Sequence, residues 1–292
     1  MEYKYQSKFF KARELCNGMF VISGPVGGLC FLILGSKKAL LVDTMTGIGS
    51  LKAFCRDITD LPLDVVLTHG HVDHVGGNCE FDVVHIHPWD INTTYYQMTI
   101  AKRKAHLVGY NLNEKGIRDE DFVPEKSFFA VPVFDGEYFD LGDNKVEVIH
   151  TPGHSWGSVA LLNVNERVAL VGDNLHSTAG IMLESSSSVE EYLWGLENLK
   201  AQAHRIDRMF WSHGNCDPIT PAHLDEAIEA CKSVIAGEEE PMLWTGNYYW
   251  AKKVDEHRNR IDGKYGNLVY EKGRVHKRER PKAVVSYHDF VE

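Results

Sequence analysis

Apolar positions in the first part of the chain come in short runs, not at helical intervals. Met19 to Ser23, Leu29 to Leu34 and Ala39 to Asp43 are rich in β-branched and large apolar residues and are separated by Gly-containing turns, which predicts an antiparallel meander. Val65 to His69 is a continuous apolar run that ends on polar residues, the pattern of a strand buried on both faces. Residues 89 to 106 lack Gly and Pro and predict helix, and the polar stretch 107–127 that follows has no assignable period. Together they form an insertion or lid over about 89–130. Glu137 to Leu141 and Lys145 to His150 flank Gly-Asp-Asn as a hairpin, followed by strands at Ser158 to Val164, Arg167 to Val171 and Ile206 to Trp211. Val189 to Gln202 and Pro221 to Ile235 have helical spacing, the second with Thr220 as N-cap and Pro221 at the first helical position. A strand-rich stretch closing on helix thus occurs twice, at roughly 1–106 and 133–238, which suggests two similar halves.

The chain has 292 residues, 43% hydrophobic and 25% charged, enough to bury a core without staples and unlike a disordered polymer. Six scattered cysteines form no C-x-x-C pair and read as reduced thiols. The N-terminus lacks the apolar core of a secretory signal and no stretch approaches a membrane span, so a cytoplasmic protein with no membrane partner is expected. A net charge of −10 argues against general attraction to nucleic-acid backbones. The balance is uneven, however: residues 251–292 hold 11 Lys and Arg against seven Asp and Glu. A boundary is expected near residue 238, with 1–238 a catalytic domain and 239–292 an accessory segment. The aromatic cluster Trp244, Tyr248, Tyr249 and Trp250 in that segment suits an accessory core or a homodimer contact.

Fifteen histidines direct attention to metal. Directly after the apolar strand stands His69-Gly70-His71-Val72-Asp73-His74, with four candidate ligands in six residues. An extended segment projects His69 and His71 to one side, because strand side chains alternate with period two. A helix starting near Asp73 turns Asp73 and His74 toward a neighbouring position, so that one stretch can serve two ions. Further donors recur at strand ends or Gly turns: His154, Asp173 and His213. Imidazole and carboxylate without thiolate suit zinc, iron or manganese, zinc leading on frequency.

With these motifs in this order, residues 18–238 resemble the metallo-β-lactamase-fold hydrolase superfamily. Asp43 matches its first motif, His69-x-His71-x-Asp73-His74 the second, and His154, Asp173 and His213 the third to fifth. The resemblance implies an α/β fold, the αββα four-layer sandwich, with metals at one edge between the sheets. It implies that His69, His71 and His154 hold a first divalent ion, Asp73, His74 and His213 a second, and that Asp173 bridges them. It implies too that Asp43 orients the motif loop and that Asp73 also guides a proton. The ligand set is similar to that of glyoxalase II-like thioesterases and lactonases, and Asp173 stands where a cysteine-ligand β-lactamase would have Cys. The function implied is hydrolysis of a small ester, thioester or lactone by a metal-bound hydroxide. Iron-dependent oxidoreductases of the same fold, persulfide dioxygenases or flavodiiron-like proteins, are the alternative, and phosphodiesterases a lesser one.

Around this set, His176 just past Asp173, Trp156 just past His154 and Tyr95 in the insertion are the candidate contacts to a small-molecule substrate. His85 and His87 share strand-face spacing, but the ligand places are already filled, and packed strand positions are expected for both.

Overall fold

In the computed structural model, which describes residues 2–238 and 240–282, the early apolar runs form one eight-stranded sheet in sequential order. Its strands are β1 (Tyr5–Gln6), β2 (Lys11–Cys16), β3 (Met19–Ser23), β4 (Leu29–Leu34), β5 (Ala39–Val42), β6 (Leu63–Val66), β7 (Val83–Ile86) and β8 (Phe129–Pro132). Pairing is antiparallel through β5 and parallel from β5 to β8. Parallel neighbours need crossovers. These carry α1 (Leu51–Ile58), α2 (Val72–Val75), α3 (Ile91–Gln97) and α4 (Ile100–His106).

The second sheet contains β9 (Tyr138–Asp140), β10 (Lys145–His150), β11 (Val159–Asn163) and β12 (Val168–Leu170), with β14 (Arg208–Phe210) parallel to β12 at one edge. Its outer face carries α5 (Val189–Ala201) and α6 (Ala222–Ala236).

Side-chain alternation explains the layering. Met19, Val21, Phe31, Ile33 and Val42 meet Val146, Val148, Leu161 and Leu170 between the sheets. Phe20, Ile22, Leu32 and Leu41 point the opposite way, onto Leu51, Phe54 and Cys55 of α1. On the far side Ala160, Leu162 and Ala169 pack on Val189, Leu196, Leu224 and Ile228 of α5 and α6. The result is the αββα sandwich, with both faces of each central strand covered. Val65 and Val66 illustrate it, since they lie in different cores.

Ser188 Oγ caps α5 by accepting the Glu191 N–H at 3.1 Å. Helix α6 begins one residue later than its sequence suggests: Pro221 is the N-cap, and the Thr220 N–H donates to His223 Nδ1 at 3.0 Å instead of Thr220 capping the helix. The stretch 107–127 contains turns and one short helical turn, and Ile117 and Phe122 join Leu107 and Ile48 in a small core of their own. Past α6, β15 (Met242–Thr245), β16 (Tyr248–Trp250) and β17 (Leu268–Glu271) form a third sheet with β13 (Ala179–Ile181), and Leu268 and Tyr270 are buried against the α5–α6 layer. The six cysteines are unpaired. Among the described residues no helix is long and apolar enough to cross a membrane.

Candidate metal centre

The site forms where strands of both sheets end. β6 runs into Thr68–His71, and α2 follows immediately, so His69 and His71 leave an extended segment while Asp73 and His74 leave a helical turn. The turn fits only because Gly76 has no side chain: a Cβ there would stand 2.4 Å from the Thr46 carbonyl carbon. β10 leads to His154, β12 to Asp173 and β14 to His213.

Seven side chains converge in two sets. His69, His71 and His154 form one; Asp73, His74, Asp173 and His213 form the other, and in each set the donor atoms lie within 4.8 Å of one another. His71 Nδ1 faces His154 Nε2 at 3.0 Å. The rings of His69 and His71 are nearly perpendicular, 4.7 Å apart. In the second set, His213 Nε2 lies 3.1 Å from Asp173 Oδ2 and 3.4 Å from Asp73 Oδ2, and His74 Nε2 lies 3.6 Å from Asp173 Oδ1. Asp173 Oδ2 is also 3.7 Å from His154 Nε2, so this carboxylate stands between the two sets.

The outer ring nitrogens are anchored. His74 Nδ1 bonds Asp43 Oδ2 at 2.9 Å, His154 Nδ1 bonds the Gly180 carbonyl at 2.9 Å, and His69 Nδ1 lies 3.1 Å from Thr68 Oγ1. His71 is turned the other way, with Nε2 on Ser185 Oγ at 2.6 Å and Nδ1 inward. Such anchoring fixes tautomer and ring orientation at metal-binding histidines. On the inner side, His69 Nε2, His74 Nε2 and Asp173 Oδ1 are buried without a hydrogen-bond partner. Buried polar atoms are rarely left so, and an ion is one of the things that satisfies them. The residues therefore fit metal ions.

Electrostatics separates the two sets. Burial, reinforced by neighbouring histidines, holds His69 well below the ordinary histidine value and pushes His71 down to about 3. Burial acts the same way on His74 and His213, but the carboxylates of Asp173 and its neighbours outweigh it and hold both above that value. Asp173 is buried too, yet His213 and His74 keep its carboxyl well below the usual range. The first set is imidazole alone; the second brings two carboxylates.

Asp43 sits at the end of β5 with φ +67° and is fully buried. Besides His74 it accepts the Thr68 N–H at 2.7 Å and the Ser212 hydroxyl at 3.3 Å, so it touches two of the ligand-bearing loops without entering either donor set. Trp156 borders a cavity of about 740 Å³ that also reaches His71. His176 stacks on Trp211 at 4.4 Å and accepts the Thr178 N–H. Tyr95 is placed differently from its expectation as a substrate contact. Its ring stacks on Phe128 at 4.9 Å and its hydroxyl donates to the Phe128 carbonyl, because a helix turns about 100° per residue and α3 directs Tyr95 to the core and Tyr96 and Gln97 to the cavity. His85 bonds the Val65 carbonyl, and His87 stacks on His150.

Several supporting residues carry no sequence signal. Asp90, fully buried, accepts the Gly70 N–H and the Gly157 N–H, each at 2.8 Å. Asn174 Oδ1 accepts the His154 N–H at 2.9 Å, and Tyr192 donates to the Asn174 carbonyl. These residues stand outside every motif, and only the folded loops bring them to the site.

Comparison with known proteins agrees with this fold. The family model described as the metallo-beta-lactamase superfamily matches residues 23–214. An acyl-coenzyme A thioesterase, MBLAC2, of Homo sapiens is 25% identical over 67% of this chain and 72% of its own length. The atrochrysone carboxyl ACP thioesterase nsrC of Aspergillus novofumigatus is 23% identical over 68% of this chain and 51% of its own. Among solved structures, ST1585, an archaeal metallo-beta-lactamase superfamily protein from Sulfolobus tokodaii, superposes with a TM-score of 0.51 at 17% identity, covering 80% of this chain and 91% of that one. With the αββα layers, the converging His and Asp side chains and the family match in agreement, the chain belongs to the metallo-beta-lactamase superfamily, as a metal-dependent hydrolase.

Proposed function

We propose that the chain hydrolyses acyl thioesters with two divalent ions, most simply zinc, held by His69, His71 and His154 and by Asp73, His74 and His213, with Asp173 between them. The observation that carries this reading is the pair of donor sets meeting on Asp173, with their outer nitrogens anchored and their inner atoms unsatisfied. The thioester follows from two similar proteins named as thioesterases, and it lies within the ester, thioester and lactone class that the ligand set implies. When bound, such ions polarise a substrate carbonyl and lower the pKa of water to about 7.

The chain's own groups do the rest. His69 and His71 stay neutral at working pH and present lone pairs inward. The Asp73 carboxylate, kept ionised by His74 and His213 against its burial, borders the cleft, where it guides a proton. Asp43 holds the His74 ring in place. The cleft itself, about 420 Å³, is lined by His71, Asp73, His154 and Asp173 and also by Lys102 and His106.

Elemental analysis followed by a panel of acyl thioesters, lactones, esters and phosphodiesters on one preparation tests the reading. Two equivalents of metal and a preference for thioesters are expected, with His69→Ala losing both metal and turnover. Thioester hydrolysis that persists after metal removal overturns it, and bound iron with oxygen uptake would shift the assignment to oxidation.

A further inference from the structure

The chain past β17 returns to the catalytic body. The Glu190 N–H donates to the Val275 carbonyl at 3.1 Å, the Lys277 N–H donates to Glu190 Oε2 at 2.7 Å, and Arg280 bonds both oxygens of buried Glu191 at 3.1 and 3.2 Å. These contacts fasten a strap, residues 275–281, across the first turn of α5. Carboxylates there face the positive end of the helix, where negative charge is favoured, and so give the strap a fixed anchorage.

The strap forms one wall of the 740 Å³ cavity that ends at His71. Trp89, Tyr96 and Trp156 line it too, together with the amides of Asn92 and Gln97. A hydrocarbon chain packed there would strip water from those amides without replacing their hydrogen bonds, which is unfavourable. A polar arm carrying its own amides would not. Arg278 projects from the strap onto the same cavity. Arg280 is neutralised by Glu191, whereas among the described residues Arg278 has no carboxylate partner and makes only a long 3.5 Å approach to the Ser186 carbonyl. Glu184 and Glu279 border the cavity as well, so it is not a general basic field, and any recognition of an anion there has to be local. A guanidinium supplies this through paired N–H donors that match phosphate oxygens.

We infer that this cavity receives the thiol-bearing half of the substrate, an amide-containing arm ending in phosphate, and that Arg278 is a specificity-determining residue that binds the phosphate. The inference rests on the thioesterase reading and specifies which half of the thioester occupies which space.

Two substrates with the same acyl group test it: acetyl-coenzyme A and the uncharged acetyl thioester of N-acetylcysteamine, each with the metal-loaded full chain. Arg278→Gln is expected to raise KM for the coenzyme A ester on the order of tenfold, the size of a lost charge-assisted contact. It should leave kcat and the KM of the uncharged ester within twofold, and Arg278→Lys should recover part of the loss. An equal KM change for both esters, or no change for either, overturns the role of Arg278. If the unaltered enzyme cleaves neither thioester while cleaving lactones or other esters, the thioesterase reading itself fails, a result distinct from the failure of Arg278.

Discussion

The Asp90 carboxylate accepts the Ser155 hydroxyl at 2.5 Å, tying the insertion to the turn that carries His154. Burial pushes the Asp90 carboxyl upward, opposed by Ser155 and by the amides of Gly70 and Gly157. One side chain thus holds the His69–His74 loop and the His154 turn at a fixed separation.

Asp90→Asn keeps the shape but replaces one acceptor oxygen by a donor, leaving one of the two glycine amides unsatisfied. The cost expected is about 1–3 kcal/mol in urea unfolding, with metal affinity reduced roughly 10–100-fold, as for other residues that hold ligands in place. Chelator competition measures the second quantity, and unchanged affinity would refute the bracing role.

Gly195 on α5 presses against the same turn: a Cβ there would stand 2.6 Å from the Pro152 carbonyl oxygen. Ala ordinarily gains about 1 kcal/mol over Gly in a helix, whereas overpacking against backbone costs about 1–3 kcal/mol. Gly195→Ala is therefore expected to destabilise the fold and, by shifting Pro152, to lower turnover. A stabilised variant with full activity would contradict this packing.

His87 and His150 stack in parallel, 4.2 Å apart. Burial, with His150 adjacent, pushes His87 down to about 3, from an ordinary histidine value of about 6.5 in the unfolded chain. The unfolded chain thus binds a proton that the folded one refuses, so the contribution of His87 is complete above about pH 6.5 and is lost as pH falls toward 3. His87→Asn should flatten the dependence of Tm on pH between 6.5 and 4. Parallel curves for the two proteins would show that His87 does not titrate this way.

Metal removal supplies a further test. If ions bind the folded chain alone, free zinc at a hundred times its Kd adds about 2.7 kcal/mol to unfolding, and Tm rises with zinc concentration. A Tm indifferent to zinc in the chelated protein would count against the centre.

Local signals carried much of this molecule. The meander, the buried run before His69 and the helices near α5 and α6 appear in the sequence because strand and helix periods depend on neighbouring residues. The seven donors are visible as motifs at strand ends. What joins them is not: Asp90, Asn174 and Ser185 act through loops that meet only after the two sheets pack. Tyr95 shows another limit, since α3 has no strong apolar stripe to fix its rotational phase, and one residue of phase exchanges Tyr95 for Tyr96. Nor does any pattern announce that β13 pairs with β17, because parallel partners far apart in the chain share no local signature.

Asp43 belongs to the eight-stranded sheet, while Ser212, which donates to it, follows the last strand of the other sheet. This contact is a gauge of alignment between the layers: sliding one sheet past the other breaks it and carries His154, Asp173 and His213 away from His69, His71, Asp73 and His74, which follow β6 in Asp43's own sheet. Partly loosened forms that keep their secondary structure but let the sheets drift should therefore be catalytically silent, and loss of activity on heating should coincide with the loss of fixed side-chain packing, ahead of any loss of helix or strand.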